Sequence, residues 1–153
     1  MKDPKFLLTE NLNKLAKFLR FMGYDAAVYK SISFDNMIRI AEKDKRIILT
    51  RSVKQSKSKK QFRRIFIKSD NHISQIKELK DVIRYNEDNT FTRCGECNKK
   101  LFEIIKTKVK GLVPEFVFET QTEFKICRYC GKFFWKGTHY KEIQRDLAEI
   151  FFH

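Results

Sequence analysis

Short apolar runs alternate with stretches of helical periodicity along the first ninety residues. Four runs predict buried strands, at residues 5–8, 26–29, 46–50 and 65–67. Apolar residues at i, i+3, i+4 and i+7 predict three helices, over residues 12–19, 34–41 and 73–83. Ser33 is a good N-cap for the second helix, and Gly23 is a plausible stop for the first. The order β-α-β-α-β-β-α predicts an α/β fold with a mainly parallel sheet flanked by helices.

The pattern changes after residue 90. Further short runs predict strands, at residues 101–105, 116–119, 124–126 and 133–135. Thr138 is then a candidate N-cap for a helix with Ile143, Leu147, Ile150 and Phe151 on its buried stripe. We therefore predict two domains, an α/β domain over residues 1–90 and a smaller domain with a closing C-terminal helix over residues 91–153.

Four cysteines form two C-x-x-C pairs in this second part, separated by 29 residues: Cys94, Cys97, Cys127 and Cys130. Two such knuckles supply the four ligands of a closed tetrahedral zinc site, which predicts a structural zinc ribbon. A disulfide is disfavoured in the cytosol, and a redox C-x-x-C needs only one pair. Four thiolates exceed the charge of the ion, and nearby cations can offset the excess: Lys99, Lys100, Arg128 and Lys132.

Charge then indicates a partner. The chain has 33 Lys+Arg against 19 Asp+Glu, a net charge of +14. Half of it lies in residues 51–64, where seven cations and no acid occur in fourteen residues. We call this segment the basic arm and interpret it as a phosphate-contacting surface, the alternative being a solvated, flexible loop. The absence of an apolar signal core or of a run of about 18 apolar residues favours a cytoplasmic protein with no membrane partner.

Several blocks resemble the Mut7-C RNase domain family. They are Lys-Phe-Leu-Leu at 5–8, Lys-Leu-Ala-Lys-Phe-Leu-Arg at 14–20, Gly-Tyr-Asp at 23–25 and Ile-Leu-Thr-Arg at 48–51, then Val-Pro at 113–114, the second knuckle, and Gly-Thr-His at 137–139. The resemblance implies a PIN-like domain followed by a zinc ribbon. It also implies ribonuclease chemistry, in which acids at the carboxyl ends of the strands hold Mg²⁺ or Mn²⁺.

This sequence departs from that family at two positions. Thr9 and Ser52 stand where the resemblance implies aspartates, and a hydroxyl brings no charge to a metal. The remaining candidates are Glu10 and Asp35, with Asp25 and Asp70 as further possibilities. The first hypothesis is therefore an RNA-binding protein with a degenerate metal site. One alternative is an active ribonuclease that uses Glu10 and Asp35, and another is a zinc-ribbon protein–protein adaptor.

Other residues complete the predicted sites. Arg51 and His139 are candidates for phosphate contact or proton transfer in an active enzyme. The predicted RNA-binding cations are Arg20, Arg51, Lys54, Lys57, Lys59, Lys60, Arg63 and Arg64. Core packing is the favoured role of Phe133, Phe134 and Trp135, with base stacking as the alternative. The sequence does not specify an oligomeric state.

Overall fold

The computed structural model describes residues 3–153, which fall into two compact units. The first unit runs to Arg20 and continues over Tyr24–Arg84, and the second comprises Phe21–Gly23 and Tyr85–His153. The division into domains at residue 90 stays a prediction.

The first unit is built on a four-stranded sheet in which all neighbouring strands are parallel. Its strands are β1 (Lys5–Leu8), β2 (Ala26–Val28), β3 (Arg46–Thr50) and β4 (Arg64–Phe66). They lie in the order β2-β1-β3-β4, which confirms the predicted α/β class with a parallel sheet. After β1 the chain forms β2 on one side of β1, and it then forms β3 on the other side of β1. The carboxyl ends of β1 and β3 therefore flank the switch point where open α/β sheets usually bind ligands.

Helices flank this sheet: α1 (Asn13–Phe21), α2 (Phe34–Asp44), α3 (Val53–Ser56) and α4 (His72–Glu78). As predicted, Ser33 caps α2, because its hydroxyl accepts the N–H of Asn36. The prediction for α4 was too long, since the helix begins after Asn71 and ends at Glu78. The short helix α3, inside the basic arm, was not predicted.

One hydrophobic cluster holds α2 on the sheet. Leu7 and Ile48 from the central strands pack with Met37, Ile38 and Ala41 from α2. Partly buried residues extend the cluster on its margin: Ala27, Ile32, Phe34, Ile40 and Phe62. Phe62 belongs to the basic arm, so the arm is attached to the core by an apolar contact.

The second unit contains a three-stranded antiparallel sheet and two helices. Strands β5 (Phe102–Ile104), β6 (Phe124–Ile126) and β7 (Phe133–Phe134) lie in that order. The prediction of a strand over residues 116–119 was wrong, because helix α5 (Glu115–Thr120) occupies this segment. Pro114 lies directly before this helix, as its N-cap residue. The C-terminal helix α6 (Thr138–Phe152) closes the unit.

Among the described residues, no helix combines the length and the apolar character that crossing a membrane requires.

Candidate metal centre and nucleic-acid interface

The four cysteines converge in the second unit. Their Sγ atoms all lie within 4.8 Å of one another, and those of Cys94 and Cys130 are 3.9 Å apart. A tetrahedron of thiolates with Zn–S distances of about 2.3 Å has edges of about 3.8 Å. The arrangement therefore fits a four-coordinate metal ion. Within residues 3–153, this is the one group of three or more His, Cys, Asp or Glu side chains so placed.

The two knuckles share one backbone arrangement. The carbonyls of Cys94 and Cys127 accept the N–H four residues later, at 3.0 and 2.7 Å. The N–H groups of the same cysteines donate to the carbonyl five residues later, at 2.8 and 2.9 Å. The fourth residue after each cysteine, Asn98 and Gly131, has a positive φ of 63° and 76°, which Asn and Gly tolerate best. Sequence and hydrogen bonding thus give both turns the same conformation.

The surroundings of the four cysteines shift the pKa values of their thiols. Burial raises the pKa of the Cys97 thiol to about 12 and raises the pKa of Cys94 as well. For Cys127 the effect of burial is outweighed by backbone N–H groups of Cys130 and Tyr129, so its pKa is lowered. Because neighbouring thiolates repel, a cation is needed to keep all four ionised.

The carboxyl edge of the parallel sheet is where the resemblance placed a second metal site. Leu8 and Leu49 are partners in the β1–β3 register, so Thr9 and Thr50 follow on adjacent strands. The Thr9 hydroxyl donates to the side-chain carbonyl of Asn11 at 2.6 Å. Ser52 caps α3, where its hydroxyl accepts the N–H of Gln55 at 3.2 Å. Both positions that would hold aspartates in the family pattern therefore hold hydroxyls engaged in local hydrogen bonds.

Glu10 and Asp35 also have partners. The Glu10 carboxylate accepts the backbone N–H of Ser31, in the turn after β2, by a short hydrogen bond. Asp35, in the first turn of α2, forms an ion pair with Lys60 of the basic arm. The hydrogen bond and charge of Lys60 lower the pKa of Asp35. Each carboxylate thus already interacts with a positive or partly positive group.

The other two candidate acids, Asp25 and Asp70, lie at different ends of the parallel strands. Asp25 forms a bidentate ion pair with Arg46, with N–O distances of 2.6 and 3.3 Å. Arg46 opens β3, so Asp25 lies at the amino end of the strands, opposite to Thr9. Because Asp25 and Thr9 lie at opposite ends of the strands, Asp25 cannot join Thr9 in one metal site. Asp70 follows β4 and is exposed.

The basic arm is ordered by its own hydrogen bonds. Thr50 Oγ1 donates to the side chain of Gln55 at 2.7 Å and accepts the N–H of Ser52 at 3.0 Å. The Arg64 guanidinium donates to the carbonyls of Ser58, Lys60 and Gln55 and lies 4.1 Å from the centre of the Phe62 ring. Phe62 in turn meets Phe34 edge-on, with ring centres 5.4 Å apart. These contacts give the arm a defined conformation and attach it to the core of the first unit.

The seven predicted RNA-binding cations of the basic arm divide into two groups. Arg64 stabilises the arm, Lys60 pairs with Asp35, and Arg51 donates to the carbonyl of Lys68 at 3.3 Å. Four others project from the arm with exposed side chains: Lys54, Lys57, Lys59 and Arg63. These four form the surface that is open to an anionic partner.

Arg20 is differently placed. It is 5 % exposed, and its Nε donates to the carbonyl of Ala26 at 2.8 Å. The guanidinium therefore secures the start of β2, and we correct the prediction that it contacts RNA. Sequence periodicity carries no information about a neighbouring strand, so the burial of Arg20 could not be predicted from it.

The residues singled out in the C-terminal part belong to the second unit. His139 is exposed in the first turn of α6. Phe133, Phe134 and Trp135 are half-buried, and Trp135 packs 6.3 Å from the buried Phe124 ring, as core residues do. Sequence reasoning missed Tyr129, which is 77 % exposed inside the second knuckle. Its position between two cysteines of one C-x-x-C pair was the available signal.

Comparison with known proteins adds one finding. A family model described as the Mut7-C RNAse domain matches residues 4–147, nearly the whole chain. No curated protein and no solved structure gives a significant match.

Proposed function

The chain belongs to the Mut7-C RNase domain family, and from that premise we propose that it is an RNA-binding protein whose ribonuclease-type metal site is degenerate. The ordered basic arm carries this proposal. It begins directly after β3, beside the switch point of the sheet, and presents Lys54, Lys57, Lys59 and Arg63 to solvent. Backbone phosphates are the natural partners of such a surface, which supplies affinity without sequence specificity.

The degenerate site is supported by what the edge residues do. Thr9 and Ser52 bring hydroxyls in place of anions, and each hydroxyl already has a partner. Hard divalent cations are held mainly by carboxylate oxygens, and each missing charge weakens binding. The PIN-like scaffold and the positive surface would then serve binding alone, because fold and chemistry are separable.

Zinc is the ion we assign to the four cysteines. The sulfur separations suit a tetrahedral site, and the ligand set is entirely thiolate, which zinc favours in structural sites. Its role would be to supply folding free energy to a unit with a small core, in a cytoplasmic protein.

A second candidate function is Mg²⁺- or Mn²⁺-dependent RNA hydrolysis with Glu10 and Asp35 as ligands. It is favoured by their positions, one after β1 and one in the helix that follows β2. Arg51 and His139 would then contact phosphate. This candidate requires Lys60 to leave Asp35, so that the carboxylate can turn to a metal.

The test is RNA binding as a function of salt, measured by fluorescence anisotropy on the zinc-loaded chain. Four phosphate contacts to a single strand, at a slope of about 0.7 each, predict a loss of roughly 50-fold between 50 and 200 mM salt. A parallel incubation of the RNA with Mn²⁺ should leave it uncut. An affinity that does not change with salt contradicts the RNA-binding proposal, and Mn²⁺-dependent cleavage favours the second candidate.

A further inference from the structure

Tyr129 is displayed on a rigid backbone. It lies between Cys127 and Cys130, within a turn held by the hydrogen bonds from Gly131 N–H to Cys127 and from Cys127 N–H to Lys132. Its side chain is 77 % exposed, more than any other large hydrophobic side chain among the described residues. Because the backbone is fixed and a tyrosine has few rotamers, little conformational entropy remains to be lost when its ring is covered.

A second flat group lies in the same unit. The guanidinium of Arg128 stacks on the ring of Phe102 in β5, with Cζ 3.7 Å from the ring centre. Lys99, from the first knuckle, places its ammonium 5.6 Å from the centre of the Tyr129 ring. We name these four residues the knuckle face: Lys99, Phe102, Arg128 and Tyr129. It combines π surfaces with cations, and both Arg128 and Lys99 are exposed.

Local charge decides how this face can act. Four thiolates and a divalent ion together carry −2, and the excess is offset by neighbouring cations, of which Lys132 also lies 3.9 Å from Glu96. The knuckle face therefore has no large positive field of its own. The affinity that the Tyr129 ring adds would come from stacking rather than from counterion release.

We propose that the knuckle face stacks unpaired bases of single-stranded RNA. The inference rests on the proposed RNA-binding function and adds the class of RNA and a second surface. Aromatic rings and guanidinium planes are the groups on which splayed bases stack. An apolar protein partner would desolvate Arg128 and Lys99 without compensation, whereas a nucleic acid supplies phosphates to both.

The test compares variants of the zinc-loaded full chain on a labelled RNA of about 12 nucleotides, single-stranded or duplex. Tyr129→Ala should raise the Kd for the single strand by about 5- to 150-fold, the equivalent of one stacked base. The Kd for the duplex should change by less than about twofold, because its bases are already stacked. The slope of log K against log salt should stay as in the wild type.

Three further variants make the result specific. Tyr129→Phe keeps the ring and should bind like the wild type, whereas Tyr129→Leu should lose affinity as the alanine variant does. Phe116→Ala is the matched control, because Phe116 is an equally exposed ring (74 %) in the same unit but outside the knuckle face. Zinc content, measured by mass spectrometry, must be equal in all of them.

Two results overturn the inference. An unchanged single-strand Kd in both Tyr129→Ala and Tyr129→Leu assigns the knuckle face to another partner, such as a protein. An equal loss on duplex RNA removes the role of unpaired bases. In both cases the proposed function stands if the wild type still binds RNA with the expected salt dependence. If the wild type binds no RNA, the proposed function fails first.

Discussion

Lys60 and Asp35 form an ion pair that joins the basic arm to the first turn of α2. Both side chains are more than half exposed, and the pair lowers the pKa of Asp35. The acid that the sequence indicated as a metal ligand is thus neutralised by a cation of the basic arm. The two candidate functions predict opposite effects on RNA binding when the Asp35 carboxylate is removed.

Replacing Asp35 by Asn should therefore strengthen RNA binding. The substitution removes an anion beside the arm and releases Lys60. Since an exposed ion pair is weak, the Kd should fall by no more than about fivefold. The measurement is anisotropy at about 0.1 M salt, and Glu42→Gln, an exposed acid on the same helix, is the control. A different result would indicate a working metal site: Asp35→Asn binds RNA more weakly than the wild type, and it no longer binds the Mn²⁺ that the wild type binds.

Restoring the family acids should create a divalent metal site. Thr9→Asp and Ser52→Asp together add two carboxylates at the carboxyl ends of β1 and β3. Aspartate caps helices as well as serine does, so α3 should keep its N-cap at position 52. Isothermal titration should show Mn²⁺ binding at least about tenfold tighter than in the wild type. The double variant with Asn at both positions keeps the shape and capping without the charge, and should bind like the wild type. Equal Mn²⁺ affinity in all three proteins would contradict the idea that these positions are degenerate ligands.

Removal of the metal should unfold the second unit. Purified protein should contain one zinc ion per chain by mass spectrometry, and Cys127→Ser should contain none. In a small unit the metal supplies much of the folding free energy, so a chelator should abolish slow amide exchange in β5 and β6. Added zinc should restore it in the wild type but not in Cys127→Ser. Full protection after complete removal of the ion would contradict a structural role for the metal.

Glu78 should give a measurable pH dependence of stability. Its carboxylate accepts the N–H groups of Lys68 and Ser69 at 2.9 and 2.8 Å. Burial opposes ionisation, but these hydrogen bonds outweigh it and the pKa of Glu78 is lowered. The stabilisation is therefore present above the unfolded pKa and is lost as the pH falls through the lower, folded pKa. Because the side chain is exposed, we expect Glu78→Gln to cost about 1 kcal/mol at neutral pH and nearly nothing once Glu78 is protonated. Urea unfolding of the wild type and of Glu78→Gln, at neutral pH and at a pH low enough to protonate Glu78, tests this. A difference in unfolding free energy that does not change with pH would contradict it.

Local patterns predicted the parallel sheet well. Buried strands have continuous apolar centres, such as residues 47–49 in β3, and the cap at Ser33 is set by residues three positions apart. The run Phe116-Val117-Phe118 was misread because three apolar residues fit a strand and a buried helix equally, and the preceding Pro114 was the better guide. The cysteine spacing predicted the metal cluster because four ligands and two tight turns leave few arrangements.

The site at the sheet edge was harder to predict. The partners of Asp35 and Phe34 are Lys60 and Phe62, about one β-α-β unit away along the chain. Such contacts depend on tertiary packing, which no local period encodes. The burial of Arg20 against Ala26 has the same cause. The charge of the arm was visible in the sequence, but its order and the division of its cations were not.

The central claim is that the basic arm is the RNA-binding surface, and its direct test is a charge-matched comparison. One variant replaces Lys54, Lys57, Lys59 and Arg63 by Gln and leaves the anchoring residues Phe62 and Arg64 intact. The other removes the same charge elsewhere in the first unit, at the exposed Lys14, Lys43, Lys77 and Lys80. We predict that the arm variant binds single-stranded RNA at least about 100-fold more weakly at 0.1 M salt, with a salt slope smaller by about 2.8. The control variant should lose less than about fivefold, through the long-range field alone. Equal losses in the two variants, or an arm variant that binds like the wild type, would contradict the claim.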